Sequence, residues 1–80
     1  MGTLFLVSTP IGNLEDITLR ALKVLAEVAL IAAEDTRHSG RLLKRYDIDV
    51  PLLSYHEHNE QARIPTILAM LEKDQTVALI

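Results

Sequence analysis

The residues with the most chemistry in this sequence stand in three polar stretches, Ser8 to Asp16, Glu34 to Ser39 and Ser54 to Glu60. The second, Glu34-Asp35-Thr36-Arg37-His38-Ser39, sets two carboxylates beside a guanidinium and an imidazole. Adjacent carboxylates suit acid–base work or a hard cation. They equally suit the start of a helix, whose exposed N–H groups and dipole favour negative charge. Arg37 and His38 could meet a phosphate or ribose there, or form an ordinary exposed first turn. In the third stretch, alternation along an extended backbone would turn His56 and His58 to the same side. As zinc ligands they lack a third partner at a known spacing, and no metal is expected. The first stretch contains Thr9-Pro10-Ile11-Gly12-Asn13, in which Pro10 fixes φ while Gly12 and Asn13 tolerate positive φ. Such a turn has little bulk and lets backbone approach a ligand. It is no dinucleotide fingerprint, which needs three glycines, and it lacks the Gly-Lys-Ser/Thr of a phosphate loop.

These stretches must be positioned by the apolar segments between them. Thr3 to Val7 reads as a strand buried on both faces, the pattern of a parallel sheet covered by helices. From Ile17 to Val28 the apolar residues form one stripe, with Asp16 or Asn13 as the cap. Ala29 to Ala33 reads as a second strand. Thr36 or Asp35 can cap a helix running to about Tyr46, with Leu42, Leu43 and Tyr46 facing inward. After a connector over Asp47 to Pro51, Leu52 to Tyr55 is a third strand. Asn59 then caps a helix carrying Ile64, Ile67, Leu68 and Leu71, which Pro65 should kink or restart. Lys73 to Gln75 turns the chain into a fourth strand over Thr76 to Ile80. The order is βαβαβαβ, an α/β fold with a three-layer parallel sheet and right-handed crossovers. Parallel strands bring all three polar stretches to one sheet edge, where open α/β folds bind ligands. Asn13, Glu15, Glu34, Asp35, Arg37, His38, His56 and His58 would therefore converge.

Composition narrows the partners. Eighty residues, 49% of them hydrophobic, make room for one domain. The net charge of −3 draws the chain toward neither nucleic acid nor an anionic membrane. Yet Arg37, Arg41, Lys44 and Arg45 are half of the eight basic residues and form a local basic strip, the kind that phosphate contacts need. With Phe5, Tyr46 and Tyr55 as the only aromatics, a base-stacking platform is not expected. There is no cysteine, no signal-peptide pattern and no apolar run of membrane-spanning length, so a soluble, cytoplasmic chain is the expectation.

Three segments, Leu6 to Leu22, Ala33 to Ser39 and Ser54 to Glu60, together closely resemble a bacterial family. It is the small-subunit ribosomal RNA ribose 2′-O-methyltransferases of the tetrapyrrole-methylase superfamily. The resemblance covers essentially the whole chain. It implies a two-domain, usually dimeric enzyme that binds S-adenosylmethionine between its domains and methylates a cytidine ribose in small-subunit ribosomal RNA. This chain would be most of the N-terminal domain, residues 1–80, with the C-terminal domain absent and the isolated piece nearly inactive. By the same resemblance, Pro10 and Ile11 would touch the cofactor. Asn13, Glu34, Asp35, Thr36, Arg37, His38, His56 and His58 would line the RNA side, joined by Arg41 of the basic strip. Methyl transfer to a hydroxyl needs a group to take the proton, and His38, His56, Glu34 or Asp35 could be that group.

Other readings remain. A tetrapyrrole or other small-molecule methylase of the superfamily generally carries Gly-x-Gly-Pro-Gly-Asp after the first strand, where this chain has Thr-Pro-Ile-Gly-Asn. A non-catalytic α/β module is a second alternative. A phosphate-receiving signalling domain wants acidic residues after the first strand, and here they follow the second.

Overall fold

In the computed structural model, which describes residues 1–80, four short strands form one fully parallel sheet: β1 (Leu4–Leu6), β2 (Leu30–Ala33), β3 (Leu52–Ser54) and β4 (Val77–Leu79). Between them run α1 (Leu19–Glu27), α2 (Thr36–Arg45) and α3 (Glu60–Glu72), with a 3₁₀ turn over Leu14–Asp16 ahead of α1. The spatial order is β1-β4-β2-β3. The last strand therefore enters between the first two, with Val77 in register with both Leu4 and Leu30.

Alternation along the strands splits the core in two. On one face Leu25 and Val28 of the α1 segment and Leu42 and Leu43 of α2 pack on Ile31 and Ala78. On the other, Ile67 and Leu71 of α3 pack on Leu30, Ala32 and Val77. This is the expected three-layer arrangement, two helices against one across the sheet.

Several local expectations are corrected. β1 is not buried on both faces: it is an edge strand, and the α3 side leaves Leu4 44% and Leu6 77% exposed. Neither Asp16 nor Asn13 caps α1. Thr18 does, its Oγ1 accepting the Ala21 N–H at 3.0 Å, while Asn13 caps the 3₁₀ turn. Pro65 marks no second start: α3 runs unbroken from Glu60 to Glu72, because proline removes one donor from a helix held by Ile67 and Leu71. Positive φ falls at Asp47 and Asp74, just beyond α2 and α3, and at no glycine. Aspartate tolerates this region better than most residues, and there it turns the chain toward the next strand.

Candidate functional site

All the polar stretches emerge at the carboxyl edge of the sheet, since every strand runs the same way. The first is held by α2 from both of that helix's ends. Near its start, the His38 imidazole donates from Nε2 to the Pro10 carbonyl at 3.0 Å. At its far end the Tyr46 hydroxyl donates to the Leu14 carbonyl at 2.8 Å, and Arg45 meets Glu15 at 3.3 Å. A carbonyl can only accept, so Nε2 of His38 carries its proton and Nδ1 is the nitrogen left as acceptor.

In the second stretch Asp35 is the N-cap of α2, its Oδ1 accepting from the Arg37 and His38 backbone at 3.0 and 3.3 Å. The His38 N–H foremost, against some desolvation, and then the Arg37 N–H and guanidinium hold this carboxyl below its ordinary value of 3.8. Glu34, one residue earlier, is exposed and has no protein partner.

The third stretch is a network. The Asn59 Oδ1 accepts the His56 backbone N–H at 2.8 Å, and its Nδ2 donates to Ser54 Oγ at 3.0 Å. Arg63 donates from Nε to the Ser54 carbonyl at 3.1 Å and from Nη2 to Ser54 Oγ at 3.3 Å. Asn59 is thus at the cap position of α3 but spends its side chain on the preceding turn.

The rim carries two concavities. The larger, about 700 Å³, has Glu34, His56, Glu57, His58 and Glu60 on its polar side and Tyr55, Leu79 and Ile80 on its apolar side. The smaller, about 340 Å³, lies between Thr9, Pro10 and Ile11 on one side and Asp35, His38 and Arg41 on the other. Glu34 and Asp35, adjacent in sequence, thus serve different clefts. Asn13, Thr36 and Arg37 line neither; Asn13 has its side chain on the Glu15 N–H. No three His, Asp or Glu side chains gather as a metal-ligand set, and no helix is long and apolar enough to cross a membrane.

Sequence reasoning missed Tyr46 as an anchor and the Ser54–Asn59–Arg63 network. Tyr46 reads as an inward apolar residue, and nothing in its spacing announces the Leu14 carbonyl. For the network, the only available signal is the spacing of Asn59 and Arg63, four apart on one helical face.

A parallel sheet whose polar connections build clefts at its carboxyl edge defines an open α/β domain, a class that generally binds its ligands at that edge. The chain belongs to the tetrapyrrole (corrin/porphyrin) methylases, whose family pattern matches residues 3–80. It is 54% identical over 80 residues to a protein of Synechocystis sp. named ribosomal RNA small subunit methyltransferase I, covering all of this chain and 29% of that one. Proteins of the same name from Pseudomonas aeruginosa and Thermotoga maritima are 57% and 56% identical over 79 and 80 residues. These alignments cover 99% and 100% of this chain and 28% and 36% of the relatives, so it spans about a third or less of their length.

Proposed function

We propose that this chain is most of the N-terminal domain of an S-adenosylmethionine-dependent enzyme that methylates the ribose 2′-oxygen of a cytidine in small-subunit ribosomal RNA. The observation that carries the proposal is its identity of more than half, end to end, with relatives named as small-subunit ribosomal RNA methyltransferases. The rest of the reading is a cytoplasmic homodimer whose second domain closes the cleft.

The larger cleft fits a nucleoside-sized ligand. About 700 Å³ is within the usual range for such sites, and Tyr55, Leu79 and Ile80 give it an apolar wall opposite five polar side chains. The cofactor would supply a methyl group on a positively charged sulfur. Pro10 and Ile11, on the wall of the smaller cleft, are the proposed contacts to it, and the larger cleft, which holds His56, is the proposed seat of the ribose. Asn13, Thr36, Arg37, Arg41 and His58 are the proposed RNA side, with the exposed Arg37 and Arg41 suited to phosphate.

Transfer needs the hydroxyl held in line with the methyl group and a group to receive its proton. Of the four candidates, Asp35 is engaged as a helix cap with a depressed pKa, which makes it a poor acceptor. His38 donates from Nε2 to Pro10 and keeps Nδ1 as an acceptor, but it lines the smaller cleft, on the proposed cofactor side. His56 and Glu34 share the larger cleft, and His56 is the proposed acceptor.

The test is a chimera in which this chain replaces the matching 79-residue stretch of the Pseudomonas aeruginosa relative. Purified and supplied with the methyl donor, it should methylate a cytidine ribose in small subunits from a strain lacking that relative. Mass spectrometry of the digested RNA reads the product. A folded chimera that leaves the RNA unmodified would refute the proposal.

A further inference from the structure

The network after β3 has one donor too many. The His56 backbone N–H can only donate, so the Asn59 atom facing it at 2.8 Å is the amide oxygen. The other end of that amide is therefore NH₂, facing both Ser54 Oγ at 3.0 Å and the His56 Nε2 at 3.2 Å. On the far side of the same ring, Nδ1 meets the His58 backbone N–H, also at 3.2 Å. A neutral imidazole has one acceptor nitrogen, so the ring satisfies one of these two donors at a time.

We propose that Asn59 is a positioning residue for His56. It pins the His56 backbone, places the ring on the wall of the larger cleft, and uses its amide to keep Nε2 in the bare, accepting form. Arg63 steadies the arrangement through Ser54, whose hydroxyl and carbonyl it holds. The amide occupies the place a substrate hydroxyl takes. When the hydroxyl arrives, its oxygen bonds to the methyl carbon of a methylsulfonium donor as the carbon–sulfur bond breaks. The sulfur keeps that electron pair as a neutral thioether, and the hydroxyl proton passes to Nε2. This inference rests on the reading of His56 as proton acceptor, and goes beyond it in naming what prepares the ring.

The test uses the same chimera with Asn59→Ala and Asn59→Asp, labelled with ¹⁵N-histidine and assigned through His56→Ala. Asp supplies an oxygen to the His56 N–H and to the Ser54 hydroxyl, so it preserves the turn. It also presents an acceptor to Nε2 and draws the ring proton there. Both variants should lower kcat by about 10- to 100-fold, as misplaced catalytic groups do, with KM for the methyl donor within about threefold. Asn59→Asp should do so with the melting temperature unchanged, and its spectrum should show Nε2 of His56 protonated where the parent shows it bare. In a His56→Ala background, Asn59→Ala should have no further effect on kcat. An Asn59→Asp protein that turns over at the parental rate, or a parent whose Nε2 carries the proton, would overturn the proposal. Full activity of His56→Ala would overturn it together with the acceptor assignment. If the parent chimera fails to methylate, the proposed function falls, and the nitrogen spectrum still decides whether Asn59 sets the ring.

Discussion

His38 and Pro10, twenty-eight residues apart in sequence, are joined by an imidazole N–H donating to a carbonyl at 3.0 Å. The bond ties the first turn of α2 to the loop that leaves β1, and Tyr46 ties the end of the same helix to Leu14 at 2.8 Å. A rigid helix thus holds a loop that has almost no core residues of its own. Within it Ile11 is 99% exposed, and a Cβ added at Gly12 would meet nothing within 4 Å.

Removing either anchor should loosen this loop without unfolding the sheet. His38→Ala and Tyr46→Phe should each cost about 1 kcal/mol, the usual net value of a partly buried neutral hydrogen bond. His38→Gln, whose amide can donate from a similar reach, should recover most of the loss. Urea melts measure the stabilities, and amide exchange at Gly12 and Asn13 reports the loop. Unchanged exchange in both anchor variants would show that the loop is held by something else.

Asp35 makes stability depend on pH with a defined sign. Its carboxyl is held below 3.8 in the folded chain, so the folded state binds the proton more weakly than the unfolded one. The resulting stabilisation is fully present above the unfolded-state value and is lost as pH falls through the lower folded value. Asp35→Asn keeps a capping oxygen but not the charge. Its deficit in melting temperature should be widest near neutral pH and should narrow as the pH falls through the lowered folded value. A deficit that stays constant across that range would rule out the titration of this cap.

The glycine that packing requires is Gly2, at the opposite edge of the sheet. A Cβ there would collide with the Gln75 carbonyl oxygen, and the Gly2 N–H donates to Leu71 at 2.6 Å. Gly2→Ala must push the start of β1 off the turn before β4. The expected cost is about 1–3 kcal/mol, as for other overpacked sites. Gly12→Ala, with open space around it and no positive φ, should be nearly neutral by thermal melt. The reverse ranking would contradict the described packing.

The gap between the two glycines shows where sequence reasoning reaches its limit. Gly12 drew attention because Pro10 and Asn13 beside it spell a turn, and that local signal was correct about the turn. Gly2 carried no local signal, because what demands it is Gln75, brought alongside only when β4 pairs with β1. The same contrast separates the capping roles. The sequence leaves Thr36 or Asp35 as the cap before an amphipathic run, and the fold selects Asp35. Asn59, equally well placed, faces the turn behind it instead, because Ser54 at the end of β3 and the His56 N–H offer its amide better-placed partners.

Hydrophobic spacing alone determined the βαβαβαβ order, the parallel sheet and the meeting of three polar connections at one edge. Each of these follows from short-range periodicity and from the handedness of the crossovers. Strand order was a different matter. That β4 inserts between β1 and β2, leaving β1 half uncovered, depends on contacts between segments far apart along the chain. The division of the rim into two clefts has the same origin. Glu34 and Asp35 are neighbours by covalent bond, but the end of β2 and the start of α2 set them on different clefts, and only the folded backbone settles which.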